Sequence, residues 1–262
     1  KNSNDNIFNL DKLSYSNNNN SLEKLIINFG KKISKRYSFL HTDLSNKIST
    51  EDAIKISDPD IIIHLAAESH VDRSINDPQI FISSNIEGTF NLLQASLIHF
   101  QKLKSIRKEN FRFYHISTDE VYGSLFENDP SFNEKTKYNP RSPYSASKAS
   151  SDHLVKSWHY TYELPILISN CSNNYGPWQY PEKLIPNTIQ KALQGSDIPV
   201  YGDGKNIRDW LHVSDHINAI KFIIQRGKIG QNYCIGGSNE ISNLKLVELI
   251  CDNLDKYLPT SE

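Results

Sequence analysis

Asp60 to Ala67 reads Asp-Ile-Ile-Ile-His-Leu-Ala-Ala, and its apolar, β-branched centre constrains the fold more than any other segment. A strand with one wet face alternates apolar and polar side chains. A continuous apolar run marks a strand buried on both faces, as where helices cover both sides of a parallel sheet. Phe111 to Ser117 (FRFYHIS) and Pro165 to Ser169 (PILIS) read as strands too. Ile7 to Asp11 and Phe39 to Leu44 are two more, with Asp11 and Asp43 at or near their ends. An Asn-rich stretch, Asn17 to Asn20, predicts an exposed loop. Helical patterns separate the strands: Ser21 to Lys35, a short helix opened by Thr50 with Glu51 and Asp52 in its first turn, Pro78 to Arg107, and Tyr144 to Tyr162. This alternation predicts βαβ units and an α/β fold.

After Asn170 the texture changes to loops rich in Asn, Pro, Gly and Tyr. Helices are expected over Pro181 to Leu193, Ser214 to Gln225 and Leu244 to Leu258, with a strand at Asn232 to Ile235. We therefore expect a sheet domain over 1–170 and a smaller mixed lobe over 171–262. Ligands of open α/β sheets bind at the carboxyl ends of the strands.

Lys plus Arg total 29 and Asp plus Glu 30, so the 262-residue chain carries a net charge of −1. A polyanion-binding protein normally shows a basic excess, so no nucleic-acid partner is expected. No apolar run reaches the length of a membrane span. Cys171, Cys234 and Cys251 fit neither a disulfide framework nor a zinc site, so we expect no metal and a reducing, cytoplasmic setting.

Three segments carry candidate chemistry. In Tyr144-Ser145-Ala146-Ser147-Lys148 the Tyr and Lys are four apart and share a helix face. A nearby ammonium favours phenolate, so this Tyr could exchange protons near neutral pH, although an ordinary surface helix also accommodates the pair. Ser117-Thr118-Asp119-Glu120 follows a buried strand and offers a hydroxyl, an acid and a base. His64 to Ser74 follows another, and its Ala66 and Ala67 let a flat ring or a phosphate approach the backbone. Asp11 could accept hydrogen bonds from a ribose, or be a plain loop acid. Lys183 and Arg208 are candidate phosphate contacts.

In order, HLAAESHVDRS, HISTDEVYG, SPYSASKASSDHL, NCSNNYGP, PEKLIP and IRDWLHVSDH resemble the extended short-chain dehydrogenase/reductase superfamily, most closely its dTDP-glucose 4,6-dehydratase family. The resemblance runs from about Ile7 to the C-terminus. It implies a Rossmann-like doubly wound parallel sheet with a smaller substrate lobe, an NAD cofactor, a dTDP-glucose substrate and a homodimer built on the two long helices. It implies that NAD takes a hydride from C4 of the sugar while Tyr144 accepts the hydroxyl proton, helped by Lys148 and Thr118. Glu120 then removes the C5 proton, Asp119 protonates the departing C6 hydroxyl, and the hydride returns to C6. By the same resemblance Asp11, Lys12, Leu13, Ser14, Asp43, Leu44, Leu65, Ala66, Ala67, Glu68, Ser69, Ser84 and Asn174, with Tyr144 and Lys148, hold the cofactor. Ser69, Thr118, Asn173, Lys183, Leu184, Pro199, Val200, Tyr201, Arg208 and Asn243 face the nucleotide sugar.

The sequence departs from the family in two respects. The family usually continues beyond the position of Glu262, with more of the substrate lobe, and the sequence lacks the family's glycine turn. It has no G-x-x-G-x-x-G or G-x-G-x-x-G, the turn that lets a backbone approach a pyrophosphate. The family's first strand and glycine loop precede the position of Asp11. With a Met count of zero, this leads us to expect a fragment without the first strand, weak in NAD binding and activity by itself. Other nucleotide-sugar dehydratases, decarboxylases or epimerases are the alternative enzymes, although Asp119 next to Glu120 favours 4,6-dehydration. A non-catalytic nucleotide-sugar binding fragment is the other reading.

Overall fold

The computed structural model describes residues 4–17, 19–28, 30, 34–125, 129–200 and 202–258. The chain divides into two compact units, Lys1–Ser169 with Lys228–Asn232, and Asn170–Gly227 with Tyr233–Glu262.

In the first unit β1 (Ile7–Asp11) leads through α1 (Asn19–Asn28) to β2 (Tyr37–His41), and the two strands pair in parallel with Ile7 opposite Tyr37 and Asp11 opposite His41. The expected Asn loop is partly helix, since α1 begins at Asn19. Helix α2 (Lys47–Ser57) starts earlier than expected: the Asn46 side chain accepts the Ser49 N–H at 3.0 Å, so Asn46 is the N-cap, and Thr50 lies inside the helix with its hydroxyl on the Asn46 carbonyl. The chain turns at Asp58 in a left-handed conformation, and Arg107 clamps this turn through Asp58 (3.0 Å) and Asp60 (2.6 Å).

Strand β3 (Ile61–His64) follows, then α3 (Val71–Asn76) and α4 (Pro78–Phe81). A π-helical turn (Ile82–Glu87) runs straight into α5 (Gly88–Lys102), and α6 (Ser105–Asn110) precedes β4 (Arg112–Thr118). β3 pairs with β4 in parallel, His64 opposite His115. β4 ends in a 3-10 turn, Asp119–Tyr122. Helix α7 (Pro143–Tyr162) opens with a reciprocal Ser142–Ser145 capping box and Pro143 in its first turn, and ends on Glu163 in the left-handed region. Strand β5 (Ile166–Cys171) adds to β4, with the Phe113 N–H on the Pro165 carbonyl, and the Ile168 N–H reaches the Gln231 carbonyl beyond.

The core of this unit is an apolar cluster in which Leu93, Phe111, Phe113, Val155, Leu164, Ile166 and Ile168 have no measurable exposure. β4 and β5 are buried on both faces, as their sequences predict. β3 departs from that expectation. Ile62 and His64 are buried, but Ile61 and Ile63 are 43% and 41% exposed. The physical reason is a gap in the sheet. Among the described residues β1 pairs only with β2, and β3 only with β4. A slot of about 860 Å³, lined by Phe8 and Leu10 on one side and Ile61, Ile63 and Leu65 on the other, lies between the two pieces.

The second unit holds β6 (Asn173–Tyr175), α8 (Leu184–Leu193), β7 (Ile207–His212), α9 (Val213–Arg226), β9 (Glu240–Ser242) and α10 (Asn243–Tyr257). Strand β8 (Asn232–Ile235) follows α9 and joins the sheet of β3, β4 and β5. β7 is central to its own small sheet, parallel to β6 and antiparallel to β9. No helix among the described residues is long and apolar enough to cross a membrane.

Candidate active site

The carboxyl end of β4 and the first turns of α7 come together because Lys148, only 4% exposed, donates from Nζ to the Ile116 carbonyl at 2.9 Å. Tyr144 lies one turn before it, 9% exposed, with the edge of Phe81 against its ring. Small residues make this approach feasible: Ser145, Ser147, Ala149 and Ser151 of α7 are all buried.

Thr118 caps the 3-10 turn, its hydroxyl accepting the Glu120 N–H at 3.2 Å and donating to the Asp119 carboxylate at 3.3 Å. Asp119 and Glu120 are each half-buried, and their turn packs on α7. The turn is latched from outside. Gly123, at φ +96°, places its Cα hydrogens where a Cβ would stand 2.6 Å from the Asn139 carbonyl, and the Asn139 N–H bonds to the Val121 carbonyl. The expected set Thr118, Asp119, Glu120, Tyr144 and Lys148 is thus gathered at one strand end and one helix start.

Next to it lies the strip after β3. Leu65, Ala66, Ala67 and Ser69 are exposed, whereas Glu68 turns inward. Glu68 forms an ion pair with Lys12 at 3.0 Å, and the same Nζ donates to the Ser84 hydroxyl at 2.6 Å. Asn85 binds the strip to α7. Its amide nitrogen donates to the Glu68 carbonyl (3.0 Å) and the Ser147 hydroxyl (2.9 Å), and its oxygen accepts the Glu68 N–H (2.8 Å). Sequence reading missed Asn85, although a polar residue amid a helical apolar stripe was the available signal.

The remaining cofactor candidates of this unit cluster at the ends of β1 and β2. Asp11 accepts the Leu13 N–H at 2.7 Å, holding Leu13 at φ +54°, and Ser14 follows. The Asp11 carbonyl takes the Thr42 N–H, while Asp43 accepts from the N–H and hydroxyl of Ser45. Leu44 packs on Gly88 of α5, and its carbonyl accepts from Asn91. Asp11, Asp43 and the strip of Leu65 to Ser69 therefore line one edge of the unit. An exposed strip of small residues leading to a buried Tyr–Lys pair suits an extended dinucleotide, so these residues fit an NAD cofactor.

Buried behind the site is a second polar cluster. His115 Nε2 lies 3.1 Å from Asp152 Oδ1, both side chains fully buried. The Tyr138 hydroxyl donates to Asp152 Oδ2 at 2.8 Å. The His64 ring stands 5.1 Å from that of His115, and its Nε2 is 2.9 Å from the Thr89 hydroxyl. Burial, then Lys148, pulls His115 down to about 4, against the opposing pull of Asp152. Burial, then His115 and Lys148, takes His64 well below the ordinary histidine range. Burial pushes the Asp152 carboxyl up, yet His115, Lys148 and Tyr138 outweigh it and hold it below its ordinary value.

In the second unit Asn173 pairs with Trp210, and Arg208, exposed on β7, with Ile241. Asn243 opens α10, its backbone N–H on the Asn206 carbonyl. Asn174 is heavily engaged: its oxygen meets His216 Nδ1 at 2.7 Å and its nitrogen donates to the Ser172 carbonyl. Lys183 is the residue before α8, Leu184 its first. Pro199 is exposed and Val200 packs towards Gly204; Tyr201 lies outside the described residues.

The family described as GDP-mannose 4,6 dehydratase matches residues 2–260. A dTDP-glucose 4,6-dehydratase of Salmonella typhimurium is 49% identical over 99% of this chain and 72% of its own length. One from Neisseria gonorrhoeae is 49% identical over 99% and 73%. Among solved structures, the dTDP-glucose 4,6-dehydratase DesIV of Streptomyces venezuelae, with NAD and TYD bound, matches with a TM-score of 0.85 at 38% identity, covering 96% of this chain and 72% of that one. Parallel strands, with Tyr144 and Lys148 on the helix beside them, define a short-chain dehydrogenase/reductase. Within that class the chain belongs to the dTDP-glucose 4,6-dehydratase family, NAD-dependent hydro-lyases.

Proposed function

We propose that this chain carries the catalytic residues of a dTDP-glucose 4,6-dehydratase, forming dTDP-4-keto-6-deoxyglucose and water, with Tyr144, Lys148, Thr118, Asp119 and Glu120 in distinct roles. Bound NAD supplies a hydride acceptor for C4 and, once reduced, a donor for C6. The Tyr144 oxygen takes the C4 hydroxyl proton, and the Lys148 ammonium, one helical turn away, favours the phenolate that does so. Thr118 orients the C4 oxygen. The resulting C4 carbonyl acidifies C5–H. Glu120 removes that proton and Asp119 delivers one to the C6 hydroxyl, so the C6–O bond breaks and water leaves; the product is complete once C6 regains the hydride and C5 regains a proton, which Glu120 now carries.

Asp11, Lys12, Leu13, Ser14, Asp43, Leu44, Leu65 to Ser69, Ser84 and Asn174 are assigned to the dinucleotide. Ser69, Asn173, Lys183, Leu184, Pro199, Val200, Tyr201, Arg208 and Asn243 are assigned to the nucleotide sugar, Arg208 to its diphosphate.

The observation that carries this reading is the adjacent Asp119–Glu120 pair on a turn packed against the Tyr144 helix. An epimerase needs the tyrosine but no such pair. The test is Glu120→Gln: hydride transfer from C4 should persist on the first turnover while dehydration stops, and unchanged dehydration would refute the assignment. We also assign the enzyme to the cytoplasm, supported by three cysteines that are all outside disulfides, and to a homodimer. Phe90 and Ile98 on α5 and Tyr160 and Tyr162 on α7 are exposed, and they support an interface on these helices.

A further inference from the structure

Lys148 is an ammonium that is 4% exposed, and its Nζ donates to the neutral Ile116 carbonyl at 2.9 Å. A charge that far from water needs a countercharge, or it sheds its proton. One turn further along α7, on the same face, stands Asp152 with no exposed surface. Two props fix its carboxylate: the Tyr138 hydroxyl on Oδ2 and His115 beside Oδ1.

We propose that Asp152 is a positioning residue for the reaction: the buried countercharge that keeps the Lys148 ammonium protonated beside Tyr144. It touches neither substrate nor cofactor and acts through Lys148. His115 does not cancel it, because burial and Lys148 keep that imidazole neutral at physiological pH. Lys148 is among the groups that hold the Asp152 carboxyl below its ordinary value, so each lowers the cost of burying the other. The elements packed on α7 carry further titratable groups: Asp72 and Arg73 on α3, Glu87 on the π-helical turn, His99 and Lys102 on α5, Arg112 and Tyr114 on β4, and Asp119 and Glu120 on the 3-10 turn; His64 on β3, beside His115, is neutral by burial. Lys156 and His153 lie 5.0 Å and 5.3 Å from the Tyr138 ring centroid.

The test uses Asp152→Asn in the NAD-loaded enzyme, with dTDP-glucose as substrate. Without the countercharge Lys148 loses its proton at lower pH. The alkaline limb of the kcat profile should move down by about one unit or more, with KM for the sugar nucleotide unchanged. Asp152→Glu should restore the limb. A fall in kcat equal at every pH would overturn the proposal. Stability supplies a second readout, independent of turnover. Lys148→Met and Asp152→Asn should each lower the urea midpoint, and the double variant should recover part of the loss, because it buries no unpaired charge. If Asp152→Asn alone fails to fold, the double variant should fold; its failure to do so, or strict additivity, would overturn the proposal.

Discussion

Asn85 and Glu68, 17 residues apart, hold each other by two reciprocal hydrogen bonds between the Asn85 amide and the Glu68 main chain. The pair sets the backbone of the strip after β3 at a fixed height above α7, because the same amide nitrogen also reaches Ser147. The π-helical turn makes this possible. Widening the helix by one residue at Ile82–Glu87 aims Asn85 inward, where it is 1% exposed, and leaves its carbonyl to accept from Thr89 and Ser151.

Replacing Asn85 with Ala leaves the Glu68 N–H and carbonyl without these partners in a buried setting. Stability should drop by about 3 kcal/mol, since each orphaned group costs about 1–3 kcal/mol. Urea denaturation checks the loss. KM for NAD should rise as well, because the strip assigned to the dinucleotide loses its anchor.

Tyr144→Phe removes the proposed proton acceptor for the C4 hydroxyl and keeps the ring against Phe81. The expected loss in kcat is about 10²–10⁴-fold, with nucleotide-sugar binding preserved. Isothermal titration beside steady-state kinetics separates the two.

Asp119→Asn and Glu120→Gln should fail at different steps. With Glu120 gone, C5–H should neither exchange with solvent deuterium nor be eliminated. With Asp119 gone, exchange at C5 should continue while the C6 hydroxyl stays in place. Mass spectrometry of recovered substrate in D₂O distinguishes them, and identical behaviour of the two variants would contradict the assigned roles.

Acid should destabilise the protein early. His115 is held near 4 in the fold against an ordinary 6.5, so below pH 6.5 the unfolded chain takes up a proton that the folded chain refuses. Stability is therefore full above 6.5 and declines as the pH falls towards 4. Between pH 6.5 and 5 this single histidine should account for about 2 kcal/mol, and His64 adds a loss of the same sign. Calorimetric Tm values across this range check it, and His115→Gln should flatten the slope.

Gly123→Ala should cost about 2 kcal/mol or more, since φ +96° strains any side chain and the new methyl meets the Asn139 carbonyl. Because Asp119 and Glu120 sit on the turn this glycine latches, kcat should fall with it; parallel thermal melts and assays check both.

Much of the first unit was legible because its strands are apolar and its helices long. Ile7–Asp11 appears as read, and α7 differs by one residue from the expected Tyr144 start. The segments proposed to be catalytic stood out in the sequence for another reason: Thr118-Asp119-Glu120 and Tyr144–Lys148 are dense in reactive groups. What escaped was structure made by tertiary pairing. β6 is Asn-Asn-Tyr, a sequence without strand propensity, and it is ordered by register with Trp210, Leu211 and His212. β7 and β9 escaped likewise. The capping role of Asn46 was overlooked in favour of the acids that follow it. The buried His115–Asp152 pair was invisible because no spacing in sequence ties β4 to the second turn of α7.

The slot between β1 and β3 also says what the edge of β3 is shaped to meet. Ile61 and Ile63 stand exposed on one bank, with Phe8 and Leu10 on the other, so an extended segment laid between the banks would cover apolar side chains of both strands at once. The half-wet pattern of β3 is therefore the imprint of a sheet position, and its run of three isoleucines is the residue choice that such a position demands.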